Sequence, residues 1–163
     1  QALASDLAGD GLDVTAVTDL EAAVRQSDII TCVTTSTSPI VKGAWLKPGA
    51  HVDLAGAFKP TMRETDAEVV SRASVFVGCD SGPMHLASLA RTPVVAIFGP
   101  TDPIENGPFP GVPNRVVRRD VGCNPCREGC PSRACMREVQ PDAVAAAALA
   151  LLAALPAAPA RGI

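Results

Sequence analysis

The sequence predicts an α/β protein in three layers, a mostly parallel sheet with helices on both faces. Three observations predict it. Short β-branched, apolar runs alternate with helical stretches, the order that parallel strands joined by helices produce. Residues 94–98 are apolar at every position, as a strand buried on both faces is. Hydrophobic residues make up 47% of a 163-residue chain, enough for a sizeable core with short, turn-rich connections.

In chain order, residues 3–8 read as the end of a helix stopped by Gly9 and Gly11. Residues 14–17 read as a short strand. Asp19 is placed to cap a helix reaching Gln26. Residues 28–33 form a buried strand, and 34–39 a hydroxyl-rich loop. Residues 45–49 make a turn into the strand 51–54, which opens on a structural His51. After the loop 56–63 come a helix at 65–72 and a strand at 75–77. Residues 78–82 turn tightly into a helix at 83–90, with Pro83 suited to its first turn. The strand 94–98 leads into a Pro- and Gly-rich loop, 99–113. Residues 115–117 form an edge strand, 123–135 a cysteine-rich loop, 142–155 a last helix and 156–163 a flexible tail. The alternation of strand and helix makes the fold Rossmann-like.

Composition excludes several roles. Aromatic residues are 3% of the chain, with no Tyr and one Trp, so no base-stacking surface is expected. The net charge of −3 leaves no basic footprint for nucleic acid or an acidic membrane. The longest apolar stretch, 143–155, falls short of the roughly 18 residues a transmembrane helix needs. No charged-then-apolar leader pattern opens the sequence, so a cytoplasmic location is expected. The chain begins on Gln1, inside what reads as a helix, and is read as a fragment.

The hydroxyl-rich loop follows a strand end, where open parallel sheets bind ligands. The residues themselves leave two readings open, a capped strand–loop junction or a cofactor contact. Asp19-Leu20-Glu21-Ala22-Ala23-Val24, the stretch 28–36, Pro39, the block 43–53, Gly56-Ala57-Phe58-Lys59-Pro60 and Met62-Arg63-Glu64 extend the pattern. Over residues 1–77 this order and spacing resembles the ornithine cyclodeaminase/mu-crystallin family. The resemblance implies part of an NAD(P)-binding domain that moves hydride to or from an imine or amino-acid carbon. It would place Val33, Thr34 and Thr35 near the nicotinamide ribose, and Gly56 and Ala57 near the nicotinamide ring. Phe58 stands where cyclodeaminases carry a catalytic Asp, so the resemblance leans towards reductase-like members. The family's Gly-rich pyrophosphate loop would precede Gln1. Its substrate-binding domain also has no counterpart, so weak cofactor binding is expected.

The second half carries a different set. Phe76-Val77-Gly78-Cys79-Asp80-Ser81-Gly82-Pro83-Met84-His85 is a strand, a tight turn and a helix start. The same residue types serve simple capping or an approaching diphosphate. A structural His85 and a phosphate-contacting one are equally open. Gly99-Pro100-Thr101-Asp102-Pro103, Gly107-Pro108, Cys123-Asn124-Pro125-Cys126, Cys130-Pro131, Cys135-Met136 and Pro141-Asp142 follow. Over residues 75–155 this resembles glycosyltransferase family 9, the lipopolysaccharide heptosyltransferases and relatives. The resemblance implies the C-terminal part (78–155) of a nucleotide-sugar-binding domain of GT-B type. Asp80, Ser81, Gly82, Pro83, Met84 and His85 would face the donor's diphosphate and sugar, commonly ADP-heptose, with Gly99 and Thr101 close by. The family's base, which deprotonates the acceptor hydroxyl, belongs to an N-terminal domain absent here. No catalytic residue is therefore nominated.

Four cysteines, Cys123, Cys126, Cys130 and Cys135, share the late loop. A reduced, structural or redox-sensitive loop is the leading reading, with zinc as a minor alternative. Cys32 and Cys79 read as small core residues. The two resemblances meet at a helix-to-strand step near residues 75–77, which gives the chain a chimera-like character. One continuous sheet is expected through the join. The expected functions are an ADP-sugar glycosyltransferase fragment acting towards lipopolysaccharide core and inactive alone, an NAD(P)-dependent ketimine-reductase-like fragment, or a catalytically silent chimera. No cofactor is fixed, and an unpaired sheet edge would favour self-association.

Overall fold

The computed structural model describes residues 2–56, 59–126 and 130–156. They divide into two compact units, one ending at Val69 and the other beginning at Val70. That division falls a few residues ahead of the 77/78 boundary drawn from the resemblances.

In the first unit, α1 (Ala2–Gly9) is followed by Gly11 in the left-handed region, at φ +82°. The helix α2 (Leu20–Gln26) starts where Asp19 accepts the backbone N–H of Ala22 at 3.0 Å. Parallel strands β1 (Ile29–Cys32) and β2 (His51–Leu54) pair from Ile29 opposite His51 to Cys32 opposite Leu54. One turn of 3-10 helix, Gly43–Trp45, lies between them in sequence. Then comes α3 (Ala67–Arg72), which spans the division between units. Asp66 accepts the N–H of Val69 at 3.2 Å and that of Gly43 at 2.9 Å. One carboxylate thus starts the helix and holds it to the 3-10 turn. The core is small: Val24, Cys32 and Val41, flanked by Ile30, Ile40, Trp45 and Leu46.

Residues 14–17 take no strand, contrary to expectation. Val14 and Val17 are exposed, and no described strand pairs with them. β-Propensity brings a segment into a sheet only where a neighbour accepts its backbone groups.

The second unit is a parallel sheet in the order β3 (Phe76–Cys79), β4 (Val94–Phe98), β5 (Asn114–Arg118). Between these strands lie α4 (Gly82–Leu89) and the short α5 (Pro103–Asn106). After them come α6 (Ala134–Arg137) and α7 (Pro141–Ala154). Met84 and Ala87 of α4 pack with Val94, Ala96 and Phe98 of β4, together with Val112, Val70 and Phe76. Val95 is equally buried but, by strand alternation, faces the other way. That face is covered by α7, which packs on β4 and β5 and buries Leu151. This unit is therefore helix, sheet, helix. The chain is an α/β protein of Rossmann-like type, and every described strand pair is parallel.

The described strands form the ladder β1–β2 in the first unit and β3–β4–β5 in the second. Two expectations need correction. Cys79 is exposed: alternation along β3 turns Phe76 and Gly78 inward and Val77 and Cys79 outward. The loop 99–113 contains a helical turn, α5, because Asp102 caps Ile104 N–H at 2.9 Å ahead of Pro103. No helix among the described residues is long and apolar enough to cross a membrane. Of the expected tail only Pro156 is described.

Candidate functional site

In the first unit, the ends of β1 and β2 are bridged by a buried carboxylate. Glu64 is 2% exposed. Its Oε1 accepts the N–H of Thr34 at 2.5 Å and the Thr34 hydroxyl at 2.8 Å, and its Oε2 accepts the N–H of Gly56 at 3.0 Å. The Glu64 carbonyl also receives Ile40 N–H and Val41 N–H, at 2.9 and 3.1 Å. Gly56 has no room for a side chain, since a Cβ there would strike the Thr34 backbone and the Glu64 carboxylate. Of the expected cofactor contacts, Thr34 and Gly56 are thus held together. Val33 and Thr35 are exposed beside them, and Ala57 and Phe58 lie outside the described residues. Cys32, buried at the end of β1, has its thiol pushed above its ordinary 9.0 by burial, then by the charges of Glu64 and Asp53. His51 is exposed at the start of β2.

In the second unit, the parallel ladder sets three strand ends side by side. Cys79 pairs with Ile97, and Phe98 with Arg118. At the end of β3, Asp80 N–H donates to Ile97 O at 3.2 Å. The Ser81 hydroxyl donates back to Cys79 O at 3.0 Å, so no side chain caps α4. Gly82 and Pro83 are exposed, and a Cβ on Gly82 would meet nothing within 4 Å. His85 Nε2 lies 3.7 Å from Asp80 Oδ1, and its ring is 6.1 Å from that of Phe109. Met84 is fully buried in the core cluster with Ala87, Val94, Ala96 and Phe98. Arg118 ends β5 in register with Phe98, which places its side chain on the α4 face at the end where α4 begins. Its Nε is buried and has no hydrogen-bond partner among the described residues.

At the end of β4, the cysteine loop is strapped over the sheet. Cys126 N–H donates to Pro100 O at 2.6 Å, and Asn124 Nδ2 donates to Gly99 O and Arg119 O at 3.1 and 2.9 Å. Gly99 is buried against Met136 and Cys135. Two cavities open here. One of about 220 Å³ is lined by Thr101, Asp102, Glu105, Asn106 and Cys126 among others. One of about 470 Å³ runs under the cysteine loop. The 80–85 turn lines neither of these two, and the ladder sets it beside the Gly99–Thr101 loop through the Cys79–Ile97 pairing. All six cysteines are free thiols. Among the described residues, no group of three or more His, Cys, Asp or Glu could hold a metal ion.

Two family models match the chain, each over more than half of it. The ornithine cyclodeaminase/mu-crystallin family matches residues 1–86, and glycosyltransferase family 9 (heptosyltransferase) matches residues 46–135. The chain belongs to both families. The overlap, 46–86, contains β2, α3 and β3, so the two patterns merge across a strand–helix–strand step. A Delta(1)-pyrroline-2-carboxylate reductase of Paracoccus denitrificans is 49% identical over 77 residues, 47% of this chain and 24% of the relative. The ketimine reductase mu-crystallin of Rattus norvegicus is 42% identical over 65 residues, 40% of this chain and 21% of the relative. Lipooligosaccharide heptosyltransferase 2 of Campylobacter jejuni is 34% identical over 87 residues, 52% of this chain and 27% of the relative. The chain therefore spans about a quarter of the length of these relatives.

Two residues escaped the sequence reading of both family halves. Glu64 closes the Met62-Arg63-Glu64 block of the cyclodeaminase/mu-crystallin half, and nothing in its local pattern marks a Glu as buried. Arg118 of the glycosyltransferase half lies just past the edge strand read at 115–117, whereas β5 runs on to include it.

Proposed function

We propose that the second unit is the diphosphate end of an ADP-sugar donor site of glycosyltransferase type, and that this chain alone does not complete transfer. The observation that carries it is the pairing of Arg118, whose Nε lacks a partner, with the uncapped first turn of α4 at one end of one sheet face. A guanidinium and a helix N-terminus are what a diphosphate takes; at α4, where Pro83 has no N–H and Met84 and His85 N–H donate to Ser81 O, the exposed Gly82 supplies the backbone N–H. In this reading Asp80, Ser81, Gly82, Pro83 and His85 face the diphosphate and sugar, Gly99 and Thr101 shape the neighbouring loop, and Met84 supports from the core. The donor sugar is of heptose type and the acceptor is lipopolysaccharide core. Membership of glycosyltransferase family 9 supports both assignments.

A second reading is favoured by Glu64. Its three hydrogen bonds fix the Thr34 and Gly56 loops, which suits the nicotinamide end of NAD(P) in a ketimine-reductase-like half. Val33, Thr35 and Ala57 complete that contact set in this reading. Membership of the ornithine cyclodeaminase/mu-crystallin family supports it. We place the protein in the cytoplasm, where its free thiols stay reduced. Self-association through the two-stranded sheet is part of the proposal, since Ile29 and Val33 are exposed there. Light scattering of a clean monomer at every concentration would count against it.

Differential scanning calorimetry with ADP, ADP-heptose and NADPH tests both readings. A ligand at 100 times its dissociation constant adds about 2.7 kcal/mol. A larger shift with ADP-heptose than with ADP supports the donor site. A shift with NADPH alone reverses the ranking, and a cooperative melt with no shift leaves a silent fold.

A further inference from the structure

We infer that the cavity under the cysteine loop is a peroxide-responsive thiol site, in which Cys130 reacts first and Cys126 or Cys135 closes a disulfide with it. Neither proposed reading uses these thiols, so the inference stands apart from both.

The cavity holds about 470 Å³, and three of the six cysteines line it, with Pro100, Arg133 and Met136. Their settings differ in a way that assigns roles. Cys130 is half-buried at the rim, its Sγ 3.2 Å from the Ser132 hydroxyl. The backbone N–H of Arg133 also serves it, and Arg133 itself stands in the left-handed region at φ 46°. The Ser132 hydroxyl first, and then the Arg133 backbone and charge, hold the Cys130 thiol below its ordinary 9.0. Cys126 is half-buried and Cys135 is buried at the first turn of α6. A thiol hydrogen-bonded to a neighbouring hydroxyl, with two further thiols lining the same cavity, is the arrangement of an attacking and a resolving cysteine. Cys79 and Cys123 are exposed but line no part of the cavity, so exposure alone does not define the site.

The chemistry needs a hydroperoxide as oxidant. The Cys130 thiolate attacks one peroxide oxygen, the O–O bond breaks, and the departing hydroxide takes a proton to become water. Cys130 is then a sulfenic acid. The sulfur of Cys126 or Cys135 attacks it, the S–O bond breaks, a second water leaves and an S–S bond forms. Two thiols lose two electrons in all, and one hydrogen peroxide becomes two waters.

The test uses the full chain, fully reduced, exposed to hydrogen peroxide at neutral pH, quenched with a maleimide and digested without reductant. The expected product links Cys130 to Cys126 or Cys135, with fragment ions separating Cys126 from Cys123. In a parallel iodoacetamide time course, Cys130 is alkylated several-fold faster than Cys79 or Cys123, and Ser132→Ala narrows that margin. A first modification at Cys79 or Cys123 overturns the inference. So does Cys130 running on to sulfinic acid without a link, or a Cys126–Cys135 disulfide forming as fast in Cys130→Ser.

Discussion

Glu64 and Thr34 are thirty residues apart, yet one carboxylate oxygen of Glu64 accepts both the backbone N–H and the hydroxyl of Thr34. The other oxygen takes Gly56 N–H, so the carboxylate ties the end of β1 to the end of β2 beyond their own ladder. Glu64→Ala leaves the half-buried N–H and hydroxyl of Thr34 without this acceptor, while Gly56 N–H keeps Cys32 O at 3.1 Å. Such groups cost about 1–3 kcal/mol each, and shared relaxation brings the expected loss to about 3 kcal/mol. Glu64→Gln keeps one acceptor oxygen and loses less. Urea unfolding followed by Trp45 emission reads this directly, because the only Trp packs on the first unit's core. Equal midpoints for wild type and Glu64→Ala would sink the bridging role.

Two glycines give a paired prediction. At Gly56 an added Cβ meets the Thr34 backbone and a carboxylate fixed by three hydrogen bonds. At Gly99 it meets chiefly the end of the Met136 side chain, with Cys135 Sγ at an ordinary 3.5 Å. A thioether swings aside, whereas backbone does not. Gly56→Ala is expected to cost about 1–3 kcal/mol by overpacking, and Gly99→Ala clearly less. Denaturant midpoints of the two variants decide it, and the reverse order would refute the argument.

Much of the fold was legible because it is local. The strands β2 and β4 have the bounds read from the sequence, and Asp19 caps α2 as its position suggested. Residues 14–17 misled because strand propensity says nothing about a partner strand. Cys79 misled because a small apolar residue on a strand has two faces to choose from, and β3 is paired on one side only. The site was half legible. Thr34 and Gly56 were placed by family pattern, but the residue joining them is a Glu whose burial depends on contacts thirty and eight residues away. Arg118 is similar: its importance lies in the register with Phe98, which no local pattern encodes.

Arg118→Met separates binding from stability. The buried Nε has no partner among the described residues, so its removal costs the fold little and relieves an unsatisfied group. A diphosphate would supply the missing partner. Loss of a charge-assisted hydrogen bond costs about 1.5–3 kcal/mol, roughly 10-fold or more in affinity. Calorimetry should find Arg118→Met as stable as wild type, or more so, with ADP-sugar binding weakened. A destabilised variant with unchanged affinity would mean that the guanidinium serves packing alone.

Cys32 gives the pH prediction. Burial, then the charges of Glu64 and Asp53, raise its thiol above 9.0, while the unfolded chain keeps the ordinary value. Above that value the folded state binds more protons than the unfolded one, so stability falls as pH rises. The contribution is complete below the unfolded value and is lost as pH climbs through the higher folded one. The chain contains no Tyr, so among side chains the other thiols and the lysines form the alkaline background. Cys32→Ala removes the Cys32 contribution and leaves that background in place. Subtracting its Trp45-monitored stability profile from that of the wild type isolates the thiol. The difference should be flat from pH 7 to 8 and decline past 9. A difference that rises with pH, or stays level to pH 10, would mean that the fold does not hold Cys32 in its neutral form.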